Sequence, residues 1–218
     1  MNYNSNFNLF INRLEKLLNA PLPGTEAQFK MAPEGRRQRS QDVFKPESAK
    51  DAAVLILLYP RAGEVHFPLI MRQQYKGVHS AQVSLPGGKP EDQDSDLEQT
   101  ALREAEEEIG VLAESVQILG KLTQIFIPPS NFLVTPFVGF VENAPLIVPQ
   151  EKEVYEVYET QVQDLLNDEL VNSTTLNLAN GMRIRTPYFG LHNQTVWGAT
   201  AMILSEFKEL LRQGSAPI

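Results

Sequence analysis

Eight consecutive apolar residues, Ala52–Tyr59, constrain this chain more than any other feature. The run is too short to cross a membrane, which takes roughly 18 residues, and it has no polar face to give to water. It reads as a strand buried on both sides. Pro60–Glu64 carries proline and glycine and predicts a turn, with a second strand over Val65–Arg72 completing a hairpin. Gln82–Leu85 predicts a short strand that runs into Pro86-Gly87-Gly88.

After the glycine pair comes a polar loop, Lys89–Asp94, and then Ser95 or Asp96 as helix N-cap. Leu97, Ala101, Leu102 and Ala105 recur at helical spacing, so a helix is expected over Leu97–Ile109, stopped by Gly110. Further strands are expected at Val116–Leu122, Thr123–Ile127, Phe132–Val141 and Glu153–Glu159, with a short helix at Gln161–Leu166. Asn180-Gly181 predicts a two-residue hairpin turn. Amphipathic helices are expected at both ends, Phe7–Leu18 and Trp197–Leu211, with Trp197 packing the last one. Residues 20–50 show little periodicity and hold the run Arg36-Arg37-Gln38-Arg39, read as a solvated loop rather than a phosphate contact. The pattern is a mixed α+β domain spanning 46–218, preceded by a helix-and-loop extension at 1–45.

Composition excludes several chemistries. The chain has no cysteine among 218 residues, which removes disulfides, thiol nucleophiles, cysteine-ligated zinc and iron–sulfur clusters. Its three histidines, His66, His79 and His192, are scattered, so any metal must rely on oxygen ligands, the preference of Mg²⁺ and Mn²⁺. A net charge of −8 disfavours nucleic acid as a partner. Met1–Phe10 lacks the basic and apolar regions of a secretory signal, and no membrane span is expected, so a cytoplasmic location is the expectation.

The chemistry concentrates in Gly87–Val111, GGKPEDQDSDLEQTALREAEEEIGV. Glu104, Glu107 and Glu108 stand at i, i+3 and i+4 and share one helix face. Glu106 lies about 200° around from Glu104 and faces elsewhere. Taken alone, such a run reads as a solvated acidic face. Like charges at this spacing destabilise a helix, however, and a hard dication relieves them. Arg103 can pair with a carboxylate of the next turn. The upstream glycine pair lets backbone approach a ligand closely.

This segment resembles the Nudix box, GX5EX7REUXEEXGU with U aliphatic. Gly88 matches the first glycine, Arg103, Glu104, Glu107, Glu108 and Gly110 match the REUXEEXG end, Ala105 stands at the first U, and Val111 at the last. The middle departs from the pattern: Asp94 stands where a glutamate belongs, and eight residues rather than seven precede Arg103. Upstream, Leu69–Gly88 is similar to the signature of coenzyme A pyrophosphatases, with Arg72, His79, Gln82, Val83, Pro86, Gly87 and Gly88 in register. Gly77 replaces an Arg there, and Ala81 a Gly, Gln73 a Ser and Leu85 a Phe. The likeness extends over Ile127–Gly139 and Thr186–Leu204, and so over about residues 50–211.

The resemblance implies a Nudix fold, a mixed β-sheet sandwiched between α-helices. It implies a metal-dependent diphosphatase with Glu104, Glu107, Glu108 and Arg103 as catalytic residues. Glu104, Glu108, Glu107 and the Gly88 carbonyl would be ligands of Mg²⁺ or Mn²⁺. Glu107, Glu151 or Glu153 would serve as general base. For coenzyme A the products would be 3′,5′-ADP and 4′-phosphopantetheine, with Arg72, Lys76, His79, Gln82 and Lys89 toward the substrate and Phe132 or Phe137 along the pantetheine arm. Lys76 would stand in for the Arg missing at Gly77. Another nucleoside diphosphate derivative, such as ADP-ribose, is the alternative substrate, and a non-catalytic Nudix binding module a more distant reading. The family is compatible with a homodimer.

Overall fold

The computed structural model describes residues 3–37, 48–73, 82–177, 181 and 183–214. In chain order these form α1 (Tyr3–Leu18), α2 (Gly24–Phe29), α3 (Glu34–Arg37), β1 (Lys50–Arg61), β2 (Glu64–Arg72), β3 (Val83–Ser84), β4 (Gly87–Gly88) and α4 (Leu97–Ile109). There follow β5 (Gln117–Lys121), β6 (Ile125–Ile127), β7 (Phe132–Phe140), β8 (Val154–Gln161), α5 (Val162–Leu166), β9 (Val171–Asn177), β10 (Arg183–Leu191), β11 (Gln194–Val196) and α6 (Gly198–Gln213).

The apolar run is the centre of the molecule. β1 pairs in parallel with β7 along its length and antiparallel with β2 and β4, so the large sheet is mixed. Successive side chains of a strand point to opposite faces. Ala53, Leu55, Leu57 and Tyr59 therefore pack on one side with Ala101, Leu102, Ala105 and Ile109 of α4. Ala52, Ile56 and Leu58 pack on the other with Phe7, Phe10 and Leu14 of α1 and Met202, Phe207 and Leu210 of α6. A sheet between helices is the architecture that the resemblance implies. β9, β10 and β11 make a separate small antiparallel sheet.

Two expectations need correction. Residues 20–37 are not a plain loop. α2 and α3 lie there, and Ala27, Met31 and Ala32 are buried. A six-residue helix has too few turns to show a period, and its stability here comes from α6. Glu206, wholly buried, accepts from Gly24 N–H at 3.2 Å, Gln28 Nε2 at 2.8 Å, Thr123 N–H at 3.2 Å and Thr123 Oγ1 at 2.6 Å, tying α2 to α6. Arg36 likewise lies over the Phe29 ring and donates to the Phe126 carbonyl, so it is not a solvated charge; Gln38 and Arg39 lie outside the described residues.

The last helix, secondly, is buried almost all round rather than amphipathic, because its polar members are partnered. Besides Glu206, Lys208 sits 3.0 Å from Asp168 Oδ1 and over the Phe189 ring. Trp197 takes its N-cap position. The expected Asn180-Gly181 turn falls between Asn177 and Arg183, which pair across β9 and β10. Gly181 does adopt a left-handed φ of +80°, whereas Asn180 lies outside the described residues. Among the described residues, no helix is long and apolar enough to cross a membrane.

Candidate active site

The site forms where α4 meets the glycine turn. α4 begins as expected, with the Asp96 side chain accepting from Gln99 N–H at 2.9 Å, and ends on Gly110 at φ +72°. Its apolar side rests on β1, which leaves the acidic side against β4. β4 pairs antiparallel along the edge of β1, with Ala53 opposite Gly88 and Val54 opposite Gly87.

Each glycine is required for a different reason. A Cβ on Gly87 would stand 2.2 Å from the Ala53 carbonyl oxygen, and its φ of +148° disfavours any L side chain. A Cβ on Gly88 would stand 2.3 Å from Glu104 Oε1 and 2.7 Å from Oε2. The Glu104 carboxylate therefore occupies the space that Gly88 leaves open. Glu108, 1% exposed, comes to the same turn and accepts from Gly87 N–H at 2.9 Å through Oε2. Its Oε1 lies 2.9 Å from Arg72 Nη2, yet makes no hydrogen bond. Burial pushes the Glu108 carboxyl up to about 7, with Glu104 and Glu153 adding to the rise and Arg72 and the Gly87 N–H opposing it. Burial also raises Glu104, against the pull of Arg103.

Arg103 is the hub of the acidic side. It grips Asp94 with two nitrogens, at 2.9 and 3.0 Å, and donates to the Lys89 carbonyl at 2.9 Å, Glu104 Oε1 at 3.2 Å and Glu107 Oε2 at 3.1 Å. Asp94 also accepts from Thr100 Oγ1 and Glu91 N–H, and the Arg103 hydrogen bonds hold its carboxyl far below the usual range. The loop one residue longer than the pattern thus still delivers an acid to Arg103. Sequence reasoning left Asp94 without a role because it counted spacing. The usable signal was its chemistry, an acid in the loop facing an arginine nearly two turns into the helix.

The expected convergence of three carboxylates holds for two. Glu104 and Glu108 meet at Gly87–Gly88, whereas Glu107 leans to Arg103 with its side chain 54% exposed. Among the described residues, no three His, Asp or Glu side chains are gathered closely enough to hold an ion as they stand. Like charges one turn apart repel, and the guanidinium draws Glu107 aside. Glu106 faces elsewhere as expected, capping Ala113 N–H at 2.9 Å.

Of the other assigned residues, Arg72 is engaged with Glu108 and with the Gly87 carbonyl, to which it donates at 2.6 Å. The Gln82 carbonyl accepts from Arg72 N–H at 3.3 Å. Lys89 Nζ lies over the Phe132 ring, 5.3 Å from its centre. Phe137 is core, 8% exposed, behind α4. The carbonyls of Glu151 and Glu153 accept from Gln73, which joins their loop to the end of β2. Lys76, Gly77, His79 and Ala81 lie outside the described residues. The Arg72–Glu108 pair and the Gly87 N–H donor were not foreseen, since neither is near Glu108 in sequence.

This geometry meets a matching family. Residues 49–175 match the NUDIX domain model. The chain is 37% identical over 154 residues to an uncharacterized Nudix hydrolase NudL of Yersinia enterocolitica, covering 70% of this chain and 77% of that one. This chain belongs to the Nudix hydrolase family. The NudL protein of Yersinia pestis is 35% identical over 153 residues, with 70% and 75% covered. A MutT/nudix family protein from Enterococcus faecalis shares the fold, with a TM-score of 0.50 at 16% identity over 81% of this chain and 68% of that one. As a Nudix hydrolase, the chain acts on the pyrophosphate bond of a nucleoside diphosphate derivative. Nudix hydrolases use divalent metal ions. The residues fit such an ion: the donors are all oxygen, the Glu108 Oε1 is buried without a hydrogen bond, and Gly88 clears room for the Glu104 carboxylate.

Proposed function

We propose that this Nudix hydrolase cleaves the diphosphate of coenzyme A or its derivatives, releasing 3′,5′-ADP and 4′-phosphopantetheine. One observation carries the reading. The segment that resembles the coenzyme A pyrophosphatase signature is joined to the acidic helix, through Arg72 on Glu108 and Gly87 on the same carboxylate. These contacts support reading Arg72, from that subfamily likeness, and Glu108, from the hydrolytic box, as parts of one site.

Glu104 and Glu108 would hold Mg²⁺ or Mn²⁺ with the Gly88 carbonyl, and Glu107 adjoins them. Such an ion, when bound, would neutralise charge on the diphosphate and supply a more acidic water as nucleophile. The protein's own part is to hold these carboxylates in place against their mutual repulsion. Arg103 does so for Glu104 and Glu107, and the Gly87 N–H does so for Glu108. Among the carboxylates weighed as general base, Glu107 acts electrostatically on Glu104 and Glu153 acts on Glu108. Lys89, beside Gly88, is the cation we assign to a substrate phosphate, with Gln82, Lys76 and His79 completing the contacts on the strength of the subfamily likeness. Gly77 and Ala81, which depart from that likeness, keep ADP-ribose as a second reading.

The test is a substrate panel with Mg²⁺ or Mn²⁺, with products separated by chromatography. We expect 3′,5′-ADP from coenzyme A, and kcat/KM at least about tenfold above that for dephospho-coenzyme A, the worth of one good polar contact. Rapid cleavage of ADP-ribose with no 3′,5′-ADP from coenzyme A would overturn the assignment.

A further inference from the structure

Glu108 is held by groups that do not belong to its own helix. Gly87 N–H takes Oε2 at 2.9 Å, and Arg72 Nη2, from the end of β2, lies 2.9 Å from Oε1. The same Nη2 donates to the Gly87 carbonyl at 2.6 Å. One nitrogen therefore ties together strand β2, the glycine turn and α4. Arg72 is itself anchored, its backbone N–H to the Gln82 carbonyl at 3.3 Å, and the next residue's N–H to the Glu153 carbonyl at 2.8 Å. The two side chains are 24% and 1% exposed, so the pair is shielded from solvent on the Glu108 side. A buried carboxylate without a counter-charge is strongly disfavoured, and a guanidinium that also donates to the Gly87 carbonyl is held in place as its partner. Yet the pairing leaves Oε1 without a hydrogen bond, so its capacity to accept is not exhausted.

We propose that Arg72 is a positioning residue that holds the Glu108 carboxylate and the Gly87 peptide in one orientation, so that Glu108 meets a divalent cation already set to bind it. This differs from the substrate-contact role that resemblance implies for Arg72, and it rests on the assignment of Glu104 and Glu108 as the ion-holding pair. Orientation of a ligand by a partner outside the coordination sphere commonly governs metal affinity.

The experiment measures Mn²⁺ affinity without substrate, from the free Mn²⁺ signal in electron paramagnetic resonance, together with kcat, KM and thermal midpoints with and without Mn²⁺. Arg72→Met is expected to weaken Mn²⁺ binding about tenfold. kcat is expected to fall while KM changes little, and Arg72→Lys is expected to recover part of the affinity by restoring the charge. Three outcomes overturn the proposal: unchanged affinity with a raised KM, which makes Arg72 a substrate contact; tighter Mn²⁺ binding, which makes it a competitor of the ion; and unchanged affinity with equal loss of thermal midpoint in both forms, which makes it packing only. If Arg72→Met does not fold, Arg72→Gln, which keeps a donor for the Gly87 carbonyl, carries the same measurements. Glu108→Gln is the separate control. Wild-type Mn²⁺ affinity in that variant would remove Glu108 from the ligand set, whatever Arg72 does.

Discussion

Replacing Glu108 with Gln leaves a protein that no longer turns over substrate and that, without metal, is more stable than the parent at neutral pH. The loss of activity should exceed about a hundredfold, the upper end of what removal of a ligand's outer-shell partner costs. The gain in stability follows from burial. In the folded protein the Glu108 carboxyl is pushed from an ordinary 4.5 up to about 7. A raised carboxylate pKa means that the folded state holds the proton to higher pH than the unfolded chain does. Stability from this group is therefore full below pH 4.5, falls as pH rises through about 7, and stays lost above it. That rise in pKa corresponds to about 3 kcal/mol at pH 8 in the absence of a bound cation. Gln keeps an oxygen for Gly87 N–H and removes the charge, and Arg72 retains the Gly87 carbonyl and some solvent. Thermal melts in chelator from pH 5 to 9 should thus slope downward for the parent and flatten for Glu108→Gln. Equal slopes would show that Glu108 is not a strained carboxylate, and parental turnover in the variant would remove it from the chemistry.

The second large effect separates two adjacent glycines. Gly87→Ala places a Cβ 2.2 Å from the Ala53 carbonyl oxygen and 2.6 Å from Val54 Cα, both backbone atoms of the central strand, at a φ of +148°. Neither neighbour can swing aside, so β4 must leave β1. We expect a loss of about 4 kcal/mol, in the range reserved for strained or overpacked backbone, and a fall in thermal midpoint of about 10 °C. Gly88→Ala meets instead the end of a side chain, the Glu104 carboxylate at 2.3 Å. Glu104 can rotate away, so the fold should melt within a few degrees of the parent by the same scale, while divalent-ion binding and turnover are lost. If both variants melt alike and keep activity, the close approach of Glu104 to Gly88 has no functional weight.

Where a physical signal was local, it was legible in the sequence. α4 could be placed from Leu97 to Ile109 because its apolar period, its Asp96 cap and its Gly110 stop all agreed. β1 was evident from eight apolar residues that no other element could bury. What was hidden depended on partners distant in the chain. α2 owes its place to Glu206, 182 residues from Gly24, and a six-residue segment carries too little pattern to show it. Asp94 was obscured by one extra loop residue, though the loop absorbs it and still brings the acid to Arg103. On the face that gathers the carboxylates, periodicity put Glu104, Glu107 and Glu108 together. It could not say that Arg103 would draw Glu107 toward solvent, or that Arg72 would arrive from β2 to meet Glu108. A helical wheel gives the side of a helix but not the rotamer, and a rotamer is decided by charges from other strands.

One turn of α4, set against a glycine pair, is where we propose that a divalent ion is held beside a diphosphate. A crystal soaked with Mn²⁺ and a non-hydrolysable diphosphate analogue, with data collected for manganese anomalous scattering, locates the ion. We predict a peak among the Glu104 carboxylate, the Glu108 carboxylate and the Gly88 carbonyl. A bound diphosphate with no anomalous peak at that turn would contradict the account.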